Sequence, residues 1–260
     1  MKLLKYYIQS IKMVISKEMM YRTNFIIRML TLFAFEIMGP LVTYLIYKNS
    51  NGLPDWSIDQ ILLLQSIFLI INAIEKMLFQ RVDWSLSHTV RNGNFDRFLL
   101  YPIDTLTLIS ASNFVPEQIF TFLVGCTIFT MTFIKLGITL SIIQILQFIA
   151  LILFGFVFMY SIAMIKFSII IRVVVITRIG EFFRTVKRFA RYPMDVYGNV
   201  LSSFFRYIFP LIILAEFPTL VLLDKPMNNL GIVLIVIILF YFISRYYWLN
   251  TLKKYTSTGG

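Results

Sequence analysis

The sequence predicts an all-α fold that crosses a membrane six times, and three observations carry that prediction. First, 58% of the 260 residues are hydrophobic and only 14% are charged, with a mean hydropathy of +0.80. A soluble domain of this size cannot cover so much apolar surface with so few charges, whereas lipid favours an apolar exterior. Second, the apolar residues gather into runs of about twenty or more, long enough to span the hydrocarbon core as helix. Third, a net charge of +11 is concentrated beside those runs. That placement points to retention at an anionic cytoplasmic leaflet, not to binding of nucleic acid.

Each element follows in order along a single domain, residues 1–260. In Met1 to Arg22, apolar Leu4, Ile8, Ile11 and Ile15 repeat at helical spacing. A polar row of Lys5, Gln9, Lys12 and Ser16 follows one residue later. This pattern describes an amphipathic helix lying in the membrane interface. A cleaved signal peptide is rejected, because Lys12 and Lys17 interrupt any apolar core and no small-residue cleavage site follows. The first span is expected over about Phe25 to Tyr47, with a kink at Gly39-Pro40. The second covers about Ile58 to Phe79 and the third about Leu106 to Ile134. The fourth covers about Leu140 to Phe167 and the last about Leu230 to Leu249. Between the second and third lies a charged stretch, Arg81 to Asp104, that cannot cross. The tail from Lys253 is expected to be disordered.

Basic residues set the orientation. Lys2, Lys5, Lys12, Lys17 and Arg22 precede the first span, and Lys253 and Lys254 follow the last. The turns at 48–57, 135–139 and 224–229 hold one Lys each. Both termini are therefore expected on the cytoplasmic side of the cell membrane, with an even number of crossings. Residues 172–223 admit two readings. Counted by charge, Arg172 to Arg191 is a cytoplasmic loop and about Val200 to Leu223 is the fifth span. Alternatively, about Phe167 to Ala190 is the fifth span and 193–223 dips in from outside as a broken hairpin.

The chemistry-bearing residues exclude several function classes. No Gly-Lys dipeptide occurs, so no Gly-rich phosphate loop with its lysine is present. With His88 and Cys126 the sole residues of their kinds, no His/Cys metal cluster or Ser–His–Asp hydrolase can be assembled. Catalysis by this chain, and any cofactor bound by it, is not expected. What remains is charge near membrane depth: Glu36, Glu75, Glu117, Glu181 and Glu216. An intramembrane carboxylate is costly and so is a functional candidate by default. Glu36 and Glu117 are the candidates to line a polar pathway. On that footing an ion-coupled secondary transporter is the alternative reading. It is weakened because the Pro-interrupted segments do not recur at corresponding places in the two halves.

Arg81 to Pro102 is the most distinctive stretch. Val90, Phe95, Phe98 and Leu99 are expected to form an apolar face over a turn at Gly93, with Arg91, Asp96 and Arg97 exposed. Residues 90–102, VRNGNFDRFLLYP, resemble the signature I-x-x-G-x-L/F-D-x-x-L-L-x-P of type-2 ATP-binding-cassette (ABC) export permeases. Residues 189–197, FARYPMDVY, followed by 209–218, FPLIILAEFP, resemble that family's second signature. Asn94 stands where many members have Glu, and Gly198 where many have Pro. The resemblance covers essentially the whole chain.

It implies a permease subunit that pairs with a second permease chain, identical or paralogous. Each chain docks on a separate nucleotide-binding ATPase subunit, which carries the ATP and Mg. The contacts to that subunit would come from Arg91, Asn92, Gly93, Phe95, Asp96, Arg97, Leu99, Leu100 and Pro102, in a coupling helix within 81–104. The resemblance also favours the second topology, with the outside-facing hairpin over 193–223.

Overall fold

The computed structural model describes residues 2–49, 52, 53, 55–173 and 177–256, with backbone alone for 2–6, 177 and 178. The expected disorder of 257–260 and part of the expected turn at 48–57 lie outside the described residues. So do the side chains of Leu4 and Lys5 in the amphipathic rows.

Helices begin where side chains can satisfy the orphan N–H groups of a first turn. After α1 (Lys2–Met20) and α2 (Arg22–Lys48), helix α3 (Ile58–Phe79) opens on a reciprocal cap. The Gln60 amide N–H donates to Ser57 Oγ at 3.3 Å, and the Ser57 N–H donates to Gln60 Oε1 at 3.2 Å. The charged stretch holds α4 (Val82–Arg91) and the single turn α5 (Asp96–Leu99). Helix α6 (Thr105–Ser112) is capped by Asp104, and α7 (Ile119–Lys135) follows a 3-10 turn at Pro116–Gln118. Helix α8 (Ile142–Val173) repeats the device of α3, with Ser141 and Gln144 exchanging the same two bonds. Then come α9 (Thr177–Arg188), α10 (Gly198–Ser203), α11 (Glu216–Leu222) and α12 (Leu230–Lys254), with 3-10 and π turns between α9 and α11.

Among the described residues the chain is all-α, and five helices are long and apolar enough to cross a membrane. They are Arg22–Lys48, Ile58–Arg91, Pro116–Lys135, Ile142–Val173 and Leu230–Lys254. The third crossing is shorter than the sequence predicts. Leu106 to Ile134 is not one helix, because α6 ends at Ser112 and a new helical run starts at Pro116. Proline lacks the N–H that a continuing helix needs, but it fits a first turn. By contrast, α2 runs through Pro40 without ending. Helix α12 likewise continues through Lys254, past the point where the disordered tail was expected to start.

Helix α3 is the centre of the bundle. Its apolar window is 72% buried, against 6% for α2 and 17% for α12, so the latter two leave most of their surface to lipid or a partner. Ile61, Leu64, Ile67 and Ile71 of α3 pack with Phe158 and Ile162 of α8 and with Leu211 to Leu214. Small residues bring helices close where no hydrophobic drive exists between apolar helices in lipid. A Cβ on Gly125 of α7 would lie 2.9 Å from Ile70 Cγ1 and 3.1 Å from the Ile70 backbone nitrogen.

Polar contacts define two ends of the bundle. At one, Lys135 meets Asp59 at 2.8 Å, Gln144 meets Asp224 at 3.1 Å, and Lys225 reaches the Asp55 carbonyl at 2.8 Å. At the other, Arg245 meets Asp104 at 2.9 Å and Arg172 meets Thr251 at 2.8 Å. Helices α8 and α12 therefore run in the same direction, and the chain between them must return. It does so in pieces. Lys187 lies against Glu75 near the end of α3, the Arg191 guanidinium sits over the Phe68 ring midway along it, and Asp224 lies at the opposite end. Among the described residues no single apolar helix makes this passage, because α9 is strongly amphipathic and the rest is broken at Pro193, Pro210 and Ala215.

Candidate functional site

The signature stretch folds as a capped helix, a glycine turn and a single helical turn. Val82, Leu86 and Val90 of α4 are buried against Phe79, Phe167 and Ile170. The helix stops in a Schellman motif. The Gly93 N–H donates to the Val90 carbonyl at 3.1 Å and the Asn94 N–H to the Thr89 carbonyl at 2.9 Å. Gly93 has φ +66°, the left-handed conformation that glycine takes without steric cost.

Beyond the turn, Phe95 is fully buried, with its ring 4.9 Å from that of Tyr255. The expected apolar face over the turn is thus divided. Val90 and Phe95 point into the chain's own core, so Phe95 holds the loop and offers no surface. Leu99, Leu100 and Tyr101 stand outside, with Leu100 83% exposed. Arg91, Asn92, Arg97 and Pro102 are exposed, while Gly93 and Asp96 are half-buried. His88 is exposed, stacks on Trp84 and lies 3.2 Å from the Asn92 amide. Asp104 and Arg245 tie the far end of the loop to α12.

Glu117 belongs to a compact ion cluster. It lies 3.3 Å from Arg81 and 4.0 Å from Arg28, and Glu18 pairs with both arginines, at 3.0 Å for Arg81. Two carboxylates balance two guanidiniums, and the cluster joins α1, α2, the start of α4 and the Pro116 turn. Since the third crossing begins at Pro116, Glu117 stands at its start, not inside a longer span.

Glu36 lines a charged cavity of about 530 Å³ between α2, α3, α4, α8 and α9. It sits 2.6 Å from Lys76 and 3.6 Å from Arg191. Deeper in, Lys187 pairs with Glu75 at 2.7 Å and Lys166 with Asp83 at 2.7 Å, and all four of these side chains are nearly inaccessible. Arg184 adds a 3.5 Å contact to Asp83. Charges at this depth persist because each carboxylate has a cation beside it. The walls are completed by Phe35, Met38 and Val42 of α2 and by Phe68. A Cβ on Gly39 would lie 3.3 Å from an Arg191 terminal nitrogen, so glycine there lets the guanidinium lie close against α2. Gln65, Thr43 and Tyr192 form a hydrogen-bonded chain beside it, at 2.8 and 3.2 Å.

Of the other carboxylates, Glu181 is exposed. Glu216 accepts a 2.7 Å bond from the Met194 N–H and faces Arg206 at 3.6 Å. Sequence reasoning passed over Lys166, although a lysine inside the apolar run of α8 was itself a signal. It also read Lys187, Arg188 and Arg191 as anchoring charge, whereas the fold gathers them around one cavity. Among the described residues, no group of three or more His, Cys, Asp or Glu is placed to hold a metal ion.

Long apolar helices bundled around buried ion pairs define a multi-pass membrane protein. A family model described as ABC-2 family transporter protein matches residues 33–259, and the chain belongs to that family. No curated protein matches the chain. Membrane components of this family typically carry no catalytic activity of their own.

Proposed function

We propose that this chain is the export permease half of an ABC transporter, working as a dimer and driven by a separate ATPase subunit that binds ATP and Mg. The observation that carries this reading is the loop at 90–102. A Schellman turn at Gly93 and a buried Phe95 anchor hold Leu99, Leu100 and Tyr101 outward at the end of the bundle that bears Arg81, Arg172 and Arg245. Residues 81–104 then form the coupling region. Closure of the ATPase subunits pushes on this loop, and the Glu18–Arg28–Arg81–Glu117 cluster passes the motion to α1 and α2. In this reading α1 lies in the interface of the cytoplasmic leaflet, and both termini are cytoplasmic.

The broken passage from α9 to Asp224 is the fifth of six crossings, and 193–223 is a hairpin open to the outside. The shared direction of α8 and α12 supports this, because it requires one more return of the chain. A cysteine at exposed Asn199, probed in intact cells, checks the topology. Labelling by an impermeant thiol reagent added outside is expected, and labelling from the cytoplasm alone would sink the hairpin.

The functional test is biochemical. Purification of the full chain from its native membrane is expected to bring down an ATPase subunit, and transport in proteoliposomes is expected to need ATP. Transport that followed an ion gradient without any ATPase would favour the secondary-transporter alternative. The ion pairs on Glu36 and Glu117 speak against that alternative, since both carboxylates already face fixed cations.

A further inference from the structure

The cavity beside α2 is lined by more cations than carboxylates. Six cationic side chains line it against three carboxylates, Glu36, Glu75 and Asp83. The pairs Lys76–Glu36, Lys166–Asp83 and Lys187–Glu75 use up all three acids at 2.6–2.7 Å. Arg191 reaches only Glu36 again, at 3.6 Å, while Arg184 shares Asp83 at 3.5 Å and meets exposed Glu181 at 4.0 Å. Arg188 makes no ion pair or hydrogen bond among the described residues, and Arg191 Nε is buried without a partner.

Two guanidiniums one helical turn apart are thus left with unused donors inside one cavity. A guanidinium presents its donors as a planar fork, which matches the oxygens of phosphate, sulfonate or carboxylate. The Arg191 Nε is a buried donor that the fold leaves unsatisfied, and a bound anion supplies its acceptor. The volume lies within the range of small-molecule sites, and the apolar wall of Phe35, Met38, Val42 and Phe68 suits the organic part of an amphiphile.

We propose that this cavity binds the anionic group of the transported molecule, an organic phosphate, sulfonate or carboxylate, with Arg188 and Arg191 as its clamp. The proposal rests on the permease reading for the word "transported", but the site itself does not.

The test uses the full-length chain in phosphatidylcholine nanodiscs and two pairs of probes. Radiolabelled hexyl phosphate is compared with hexanol for an aqueous source. Spin-labelled phosphatidate is compared with spin-labelled phosphatidylcholine for a membrane source. At least one anionic probe is expected to bind about tenfold more tightly than its uncharged or zwitterionic counterpart. In Arg188→Gln and Arg191→Gln the preference is expected to fall to within about twofold, while Lys48→Gln, an exposed cation outside the cavity, leaves it unchanged. A preference for phosphatidate alone assigns the anion to a lipid, and one for hexyl phosphate alone assigns it to a solute.

Equal binding within both pairs, or a preference that survives both arginine variants, overturns the proposal. Because Arg188 is exposed and unpaired, its loss does not threaten the fold, and retention of the ATPase subunit by the same variants is measured in parallel. No anion preference in the unsubstituted chain, with the ATPase subunit bound, overturns the site alone. Anion preference in the unsubstituted chain, lost in the arginine variants, with no ATPase subunit bound overturns the permease reading and keeps the site.

Discussion

Lys187→Met is expected to be among the most damaging single substitutions in this chain. The lysine Nζ lies 2.7 Å from Glu75 Oε2, and the two side chains are only 5% and 7% exposed. Removing the cation leaves a buried carboxylate facing Lys166 and Lys76 only at longer range, and breaking such a pair typically costs roughly 3–5 kcal/mol. Part of that cost is recovered if Glu75 takes up a proton, so the lower end is expected. For a chain of this size the loss corresponds to a fall on the order of 10 °C in the thermal midpoint. The measurement is thermal unfolding of the detergent-solubilised full chain, with the double variant Glu75→Gln/Lys187→Met alongside. The double variant is expected to regain most of the loss, because neither charge is then stranded. An unchanged midpoint in the single variant would refute the pairing.

The second large effect belongs to the loop surface. Leu100→Glu combined with Tyr101→Glu places two charges on side chains that are 83% and 53% exposed, and neither packs into the core. Stability is therefore expected to stay within about 0.5 kcal/mol of the parent. Association with the ATPase subunit is expected to weaken by more than about tenfold, since exposed anchors at an interface carry a disproportionate share of the binding energy. Co-purification and thermal unfolding of the same preparation separate the two quantities. Undiminished co-purification would remove this loop from the ATPase interface. Gly93→Val behaves differently. It forces a β-branched residue to φ +66°, so loop geometry, stability and transport are expected to decline together.

Much of the candidate site was legible in the residues. The turn at Gly93 announced itself, because a glycine followed by a short apolar run leaves few alternatives for the chain. The direction of Phe95 did not. Whether that ring faces a partner or its own core depends on Tyr255, which lies beyond the last span and was assigned to a disordered tail. The apolar runs mark the starts of α3 and α8 within a residue or two, and the reciprocal caps Ser57/Gln60 and Ser141/Gln144 that fix those starts emerge only in the structure. The third crossing is shorter than expected because hydropathy averages over Asn113 to Val115, where no helix forms. Against the expected six spanning helices, five are found among the described residues, where the remaining return of the chain has no apolar helix long enough to cross.

The sequence by itself determined that this chain is an all-α membrane protein of the ABC-2 transporter family, and where most of its long helices lie. Those properties are local, since an apolar run of sufficient length must become helix in lipid to satisfy its own backbone. The tertiary structure alone decided which charges meet. Lys187 finds Glu75 and Arg191 finds Glu36 across more than a hundred residues of chain, and periodicity along one helix carries no record of its neighbour. The basic stretch after the fourth span, which by charge alone belongs in a cytoplasmic loop, became one wall of a cavity. Buried carboxylates on α2, α3 and α4 repay much of the desolvation of those lysines and arginines, and that compensation exists only once the helices have packed.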